Sequence, residues 1–370
     1  MRSPHITVDC RKLRDSGVGV YLRNNLAKFI AKTSYSFSLI GKHKELHDWL
    51  KTIELGSSEI SIIPCDASIF SLREQIDIWK SIPNNCDLFW SPFYVIPILY
   101  SGMILVTFHD VFPLAMSYMI QSLVARIYAK LMFSFAARKA SKIIAVSNFT
   151  KNETIKYIKV DERKIEVIHA GYNKLPQGNS ETVIDGPFIL YVGNIKPHKN
   201  LSRILAAHAK IFPKFEWPLV MVGKTEGFII SDTELHSMIK SIPKGQVFMV
   251  GQVSDEELSA YYKKAGVLVL ASLYEGFGLP ALEAMASGIP ILASQVAAIP
   301  EICGDAALYC DPYSVNDIAE KMALLINDPD LQAQLREKGY KQILKFSWDD
   351  SANSHVNIIN ELLLRRKKYI

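Results

Sequence analysis

Two carboxylates stand eight residues apart in EGFGLPALEAMASGIP, residues 275–290, with two glycines and a proline between them. A carboxylate accepts hydrogen bonds in pairs, which suits a vicinal diol such as a ribose. Pro280 fits the first turn of a helix and Gly288 its C-terminal cap, so the spacing predicts a short helix over about residues 280–287. Glu283 then falls one turn in, its side chain tilted back toward the helix start. Gly276 and Gly278 turn the amides of Phe277, Gly278 and Leu279 toward a ligand at that start, where the helix dipole favours an anion. Glu275, just ahead of the helix, is placed to hold hydroxyls of a second sugar. The plainer readings are a solvated loop carboxylate for Glu275 and a helix-dipole partner for Glu283.

Three other stretches carry chemistry of the same kind. In YVGNIKPHKN, residues 191–200, Gly193 admits close backbone approach, and Lys196, His198 and Lys199 precede the helix-like LSRILAAHAKI. Cations ahead of a helix oppose its dipole, and a bound phosphate would resolve the conflict; a solvated turn is the alternative. Gly17 and Gly19 in RKLRDSGVGVYLRNNL fit a tight turn or a phosphate or sugar contact equally, because Leu22 stands where a dinucleotide fingerprint has its third glycine. His109 follows the strand-like run MILVTF, where parallel sheets carry function, although a satisfied strand-end histidine has the same sequence. Asp110 reads equally as a loop carboxylate, and Ser147 as the cap of a following helix.

Positioning these residues requires strands that end at the loops. HITVDC, FSLI, EISII, CDLFW, MILVTF, KIIAVS and IEVIHA are strand-like in the first half, and FILYVG, PLVMVG, VFMVG, VLVLAS, IPILAS and AALYC in the second, with amphipathic segments between them. This alternation is that of an α/β chain with doubly wound parallel sheets. At 370 residues the chain is long enough for two domains. Residues 172–187, rich in Gly, Pro, Asn and Ser, read as the linker, which gives a first domain over 1–178 and a second over 187–348. Residues 349–370 form a terminal helix with a basic tail, placed to pack back on the first domain.

Composition narrows the class. Hydrophobic residues at 49% and charged residues at 21% mark a soluble globular protein. Residues 1–186 hold 23 Lys and Arg against 17 Asp and Glu, and the remainder 19 against 20, so the first half is the one to meet an acidic partner. Five scattered cysteines without a Cys-x-x-Cys pair argue against disulfides and structural zinc and for a reducing compartment. His5 and Asp9 interrupt the N-terminus too early for a signal peptide. Leu88–Phe108 has no charge and the length of a membrane span, but Pro92, Pro97 and Gly102 break it, which favours two buried strands over a transmembrane helix. The segment VARIYAKLMFSFAARKASK, with Arg126, Lys130, Arg138, Lys139 and Lys142, reads either as a core helix with solvated cations or as a contact for an anionic membrane.

The run EGFGLPALEAMASGIPILAS resembles the E-x7-E signature of retaining glycosyltransferases of the GT-B fold, family 4. SGVGVYLRNNL, FHDVFPL, AVSNFTKNETIKY, VIHAGYN, YVGNIKPHKN, VSDEELSAYYKKAGVLVLASLYEGFGLP, IPEICGDAALYCDP and FSW also occur in the family's order, so the resemblance covers nearly the whole chain. It implies two Rossmann-like domains facing a central cleft. Glu283 would bind the nucleotide ribose, Glu275 the donor sugar beside its anomeric carbon, and the amides near Phe277, Gly278 and Leu279 the sugar and diphosphate. Lys199 matches the diphosphate lysine, Gly17 and Gly19 the loop near diphosphate and acceptor, and His109 a histidine near the donor sugar. Asn194 departs from the arginine that many members carry after that glycine, which shifts phosphate charge to Lys199, helped by Lys196 or His198.

The implied activity is transfer of a hexose from a nucleoside diphosphate to a glycan or lipid-diphosphate-linked acceptor with retention and without a metal, in polysaccharide or lipopolysaccharide synthesis. The pattern looks most like GDP-mannose users, with UDP-hexose transferases as the alternative. The location implied is cytoplasmic, peripheral on the inner face of the plasma membrane. A nucleotide-sugar epimerase shares the fold; a phosphorylase lacks a pyridoxal phosphate signal, and an oxidoreductase lacks the complete glycine fingerprint. A catalytically silent sugar-nucleotide binder is disfavoured because both glutamates and the lysine are present.

Overall fold

The computed structural model describes residues 3–67, 69–173, 181–184, 186–224 and 238–367. Of the 172–187 linker, residues 174–180 and 185 lie outside these, as do residues 368–370 of the basic tail. The chain divides into two compact units, Met1–Gly171 with Ser347–Ile370, and Tyr172–Phe346.

Unit 1 is a seven-stranded parallel sheet of β1 (His5–Asp9), β2 (Ser36–Gly41), β3 (Ile60–Pro64), β4 (Leu88–Ser91), β5 (Ile104–Phe108), β6 (Lys142–Ala145) and β7 (Ile165–Val167), in the order β3-β2-β1-β4-β5-β6-β7. Unit 2 has six parallel strands: β8 (Ile189–Val192), β9 (Leu219–Val222), β10 (Val247–Gly251), β11 (Val267–Leu270), β12 (Ile291–Ser294) and β13 (Ala307–Cys310). They run in the order β10-β9-β8-β11-β12-β13. Each of the thirteen strand-like runs holds one of these strands. They read as continuous apolar runs because helices cover both faces of a parallel sheet. Ile189, Leu268, Val269 and Leu292 have no exposed surface. Burying each stabilises unit 2 by about 1.5–3 kcal/mol, so a charge at Leu268 would break the sheet.

The strand order decides where ligands can bind. In unit 1 it reverses between β1 and β4, and in unit 2 between β8 and β11. Loops leaving the carboxyl ends of such a strand pair diverge and leave a crevice. The β1 loop carries Gly17 and Gly19, the β8 loop Gly193 to Lys199, and the β11 loop Glu275 to Leu279. Pairing of Val267 with Ile189 and Leu268 with Leu190 sets the last two loops side by side.

The uncharged stretch Leu88–Phe108 contains β4 and β5, both wholly buried. Among the described residues, no helix is long and apolar enough to cross a membrane. The helix Trp348–Lys367 belongs to unit 1 and packs on the helix Gly17–Lys32. His355 Nδ1 donates to the Ser351 carbonyl at 2.7 Å, so its Nε2 accepts from the buried Tyr21 hydroxyl at 2.6 Å. Lys28 and Lys32 reach Asp349 at 2.8 and 2.6 Å. A Cβ on Gly171 would lie 2.2 Å from the Trp348 backbone nitrogen, so only glycine allows this close approach.

Candidate active site

The helix behind the two glutamates runs Leu279–Ser287, one residue longer at its start than the sequence predicts. Gly278 at φ 110° forms its N-cap, and Gly288 at φ 70° closes it, with its amide on the carbonyls of Ala284 and Met285. A Cβ at Gly278 would meet Ile299 at 2.8 Å, so chain direction and packing both require glycine there. Phe277, Gly278 and Leu279 thus lie at the start of a helix, as the motif places them.

Facing them is the β8 loop. Gly193 adopts φ 153° and Gly223 at the end of β9 adopts φ 149°, and a Cβ on Gly223 would lie 2.1 Å from the Gly193 carbonyl oxygen. The Asn194 side chain accepts from the Lys224 amide at 3.3 Å, a role that ties β8 to β9. Pro197–Lys199 makes one 3-10 turn, and Asn200 then turns left-handed at φ 63° to start the helix Leu201–Phe215. The buried Asn200 amide donates to the carbonyls of Ala271 and Pro312 at 2.9 and 2.7 Å, fastening this turn to the β11 loop. The His198 carbonyl adds to it by accepting from the Leu273 amide at 2.8 Å.

This fastening brings Lys199 onto Glu275. The Lys199 ammonium donates to Glu275 Oε1, and the Ser272 hydroxyl reaches the same oxygen at 2.8 Å. Burial pushes the Glu275 pKa up, but the charge and hydrogen bond of Lys199, with the hydrogen bond of Ser272, outweigh it and hold the group below its ordinary range. His198 is driven the other way, to about 3, by burial and then by the Lys199 charge, so it is neutral. Lys196 stays exposed.

Glu283 has the opposite surroundings. Burial, with a smaller contribution from Asp255, pushes its pKa up to about 7 against the Tyr262 hydroxyl, which donates to Oε2 at 2.8 Å. Tyr262 lies wholly buried on the helix Asp255–Lys264. It and Ser272 were not among the residues singled out from sequence. The one signal for Tyr262 is an aromatic on a helix that must cover β11, and that does not say which group its hydroxyl meets.

The remaining candidates lie in unit 1. His109 Nε2 donates to the Pro92 carbonyl at 2.8 Å, joining the ends of β4 and β5, and its ring sits edge-on to Tyr21 at 4.8 Å. Burial lowers its pKa to about 4, so it is neutral with Nδ1 as its acceptor side. A Cβ on Gly19 would lie 2.7 Å from the Leu13 carbonyl oxygen, whereas one on Gly17 meets nothing within 4 Å. Gly19 therefore lets the helix pack on the β1 loop, and Gly17 opens that helix. Ser147 caps the helix Asn148–Ile158 by accepting from the Thr150 amide at 3.0 Å. Asp110 accepts from the Phe112 amide at 2.9 Å.

Each of the two parallel sheets has a strand-order reversal, and at the one in unit 2 paired glutamates stand beside a lysine. Residues 179–342 match the family model "Glycosyl transferases group 1", and residues 68–174 match "Glycosyltransferase Family 4". The chain belongs to this glycosyltransferase family, and its fold is GT-B. Among curated relatives, O-antigen chain mannosyltransferase B of Escherichia coli is 29% identical over 232 residues, 59% of this chain and 60% of that protein. O-antigen chain mannosyltransferase RfbU of Salmonella typhimurium is 29% identical over 233 residues, 62% of each chain. The chain thus spans less than two thirds of the length of these relatives. Among solved structures, HepE of Anabaena in complex with UDP and glucose superposes with a TM-score of 0.77 at 17% identity, covering 97% of this chain and all of that one. Sucrose-phosphate synthase of Thermosynechococcus elongatus gives 0.76 at 21%, covering 98% and 100%.

Proposed function

We propose that this chain transfers a hexose, with mannose favoured, from a nucleoside diphosphate to a glycan or lipid-linked acceptor with retention of configuration. The observation that carries the reading is the Lys199 and Glu275 pair at the β8/β11 reversal, with Glu283 one helical turn beyond. Glu283, when ionised, takes the ribose diol, and Glu275 takes hydroxyls of the transferred sugar. The helix start at Phe277, Gly278 and Leu279 takes the diphosphate with Lys199. An ammonium has three donors, so Lys199 can hold Glu275 and still meet phosphate oxygens as charge grows on the leaving group. His198 is neutral, so Lys196 is the residue that supplies further phosphate charge where Asn194 offers none.

Among the described residues, no side chain at this site is set up as a nucleophile with a base beside it. Glu275 is held ionised against a cation, which suits charge stabilisation of an oxocarbenium-like sugar better than attack. The family resemblance supports a front-face course in which the leaving phosphate oxygen accepts the acceptor proton, and it assigns His109 to the donor sugar and Gly17 and Gly19 to the diphosphate and acceptor. GDP-mannose is favoured because relatives of similar sequence are named mannosyltransferases, whereas the HepE complexes contain UDP and support a UDP-hexose as the alternative.

The test is a calorimetric screen of GDP- and UDP-sugars. GDP-mannose should bind with micromolar Kd and UDP-hexoses at least tenfold more weakly. Tighter binding of a UDP-hexose overturns the donor assignment, and no binding of any sugar nucleotide at millimolar concentration overturns the function. Incubation with donor alone separates an epimerase, which would convert the donor sugar without acceptor.

A further inference from the structure

The helix Leu123–Lys139 of unit 1 has two apolar faces where a surface helix needs one. Ala129, Met132, Phe133, Ala136 and Ala137 are buried against the sheet. Leu123, Val124, Ile127 and Leu131 point the other way and are between 50% and 78% exposed. At 100° per residue these four fall within about 120° of arc, together with the exposed Lys130 and Arg138. Tyr118, in the 3-10 turn Ser117–Met119 that leads into the helix, is 67% exposed as well. Contiguous exposed leucine, valine and isoleucine on one stripe mark a surface that meets an apolar phase or partner.

Charge selects the occupant. From Val111 to Asn152 the chain has six Lys or Arg and no Asp or Glu. Lys139 and Lys142 are used internally: Lys139 donates to the carbonyls of Ile98 and Tyr100, and Lys142 pairs with Glu166 at 2.7 Å and is nearly buried. Arg126 closes the preceding turn through the Ile120 carbonyl at 2.5 Å. Lys151, on the next helix, pairs with Glu162 at 2.7 Å, so Lys130 and Arg138 remain as outward cations on the apolar stripe. A second copy of this chain would bring like charges to the same stripe, which disfavours self-pairing. An apolar stripe flanked by cations, with an aromatic at its edge, has the composition of a helix lying in the interface of an anionic bilayer.

We infer that Leu123, Val124, Ile127 and Leu131 insert into the headgroup layer of an anionic membrane, with Lys130 and Arg138 on its phosphates. The inference stands on this helix face and holds whichever sugar nucleotide is the donor. No covalent step is involved.

Flotation of the full chain with phosphatidylcholine vesicles, with and without about 30 mol% phosphatidylglycerol, tests it. The expected result is binding to the anionic vesicles and little to the neutral ones, reversed by high salt. The triple variant Leu123→Gln, Val124→Gln, Ile127→Gln should lose roughly tenfold or more in partitioning. Lys130→Glu and Arg138→Glu should each lose about fivefold. Because these side chains are outside the core, thermal unfolding should match the parent. Val124→Trp should show blue-shifted fluorescence on adding anionic vesicles. Absence of binding to anionic vesicles at low salt overturns the inference, as does binding that the triple variant retains. A dimer in solution that the triple variant dissociates also overturns it, in favour of a second copy as the occupant.

Discussion

Glu275 and Glu283 belong to one short stretch, and both are withdrawn from solvent, yet their surroundings drive them in opposite directions. Glu275 meets Lys199 and Ser272 and is held ionised; Glu283 meets a tyrosine hydroxyl and an acidic neighbour and titrates near neutrality. Desolvation acts upward on both, so the difference is the cation. A site with one permanently charged carboxylate and one responsive carboxylate can separate chemistry from binding when pH is varied.

The comparison is broken most severely by Glu275→Gln. The variant keeps the shape of the side chain and loses its charge, and kcat should fall by about 10²–10³ with donor Kd changed only a few-fold. A near-normal kcat would remove Glu275 from the chemistry. Lys199→Ala comes next, with a loss of about 10² in kcat at saturating donor. It also leaves burial at Glu275 opposed chiefly by the Ser272 hydrogen bond, so its pKa should rise and the kcat profile should gain an ascending limb toward alkaline pH that the parent lacks.

The third test sharpens the contrast without touching the cation. Glu283 must be ionised to accept two ribose hydroxyls, so donor affinity should rise by about tenfold per pH unit up to pH near 7 and then level off. Calorimetry between about pH 5.5 and 8.5 reads this, and Glu283→Gln should bind weakly with no such slope. The sign for stability is opposite. The folded state holds the Glu283 proton more tightly than the unfolded chain, so its contribution to stability is present at acid pH and is lost as pH rises from the ordinary carboxyl range through about 7. Thermal unfolding of Glu283→Gln should lack that decline. The smallest effect belongs to Tyr262→Phe. Removing its hydrogen bond disfavours ionised Glu283, so the affinity midpoint should move above pH 7 and donor binding at neutrality should weaken a few-fold.

The sheets were legible because every strand is a run of apolar residues ended by a glycine, a polar cap or a helix start, as in β11 and β12. The short helix after Gly278 was legible because proline and glycine mark its two ends. The partnership of Lys199 with Glu275 was not, because those residues are 76 apart and meet only through the adjacency of β8 and β11. Tyr262 was missed for the same reason, 21 residues from the carboxylate it serves. Lys139 and Lys142 read as surface cations in sequence, and structure gives them carbonyl and carboxylate partners instead. Asn194 stood out as a missing arginine, whereas its side chain bridges two strand ends, a role visible only once Gly223 is seen against Gly193.

The helix Trp348–Lys367 returns to unit 1 after unit 2 has intervened, with His355 on Tyr21 across 334 positions. Unit 1 consequently receives this helix only after the whole of unit 2 has been synthesised. Its folding in the cell should therefore be late and discontinuous: the sheet of β1 to β7 waits with the Tyr21 face uncovered while unit 2 is synthesised and folds. Nascent chains stalled before residue 347 should show protease-sensitive unit 1 beside a resistant unit 2, a reversal of the usual order from the N-terminus.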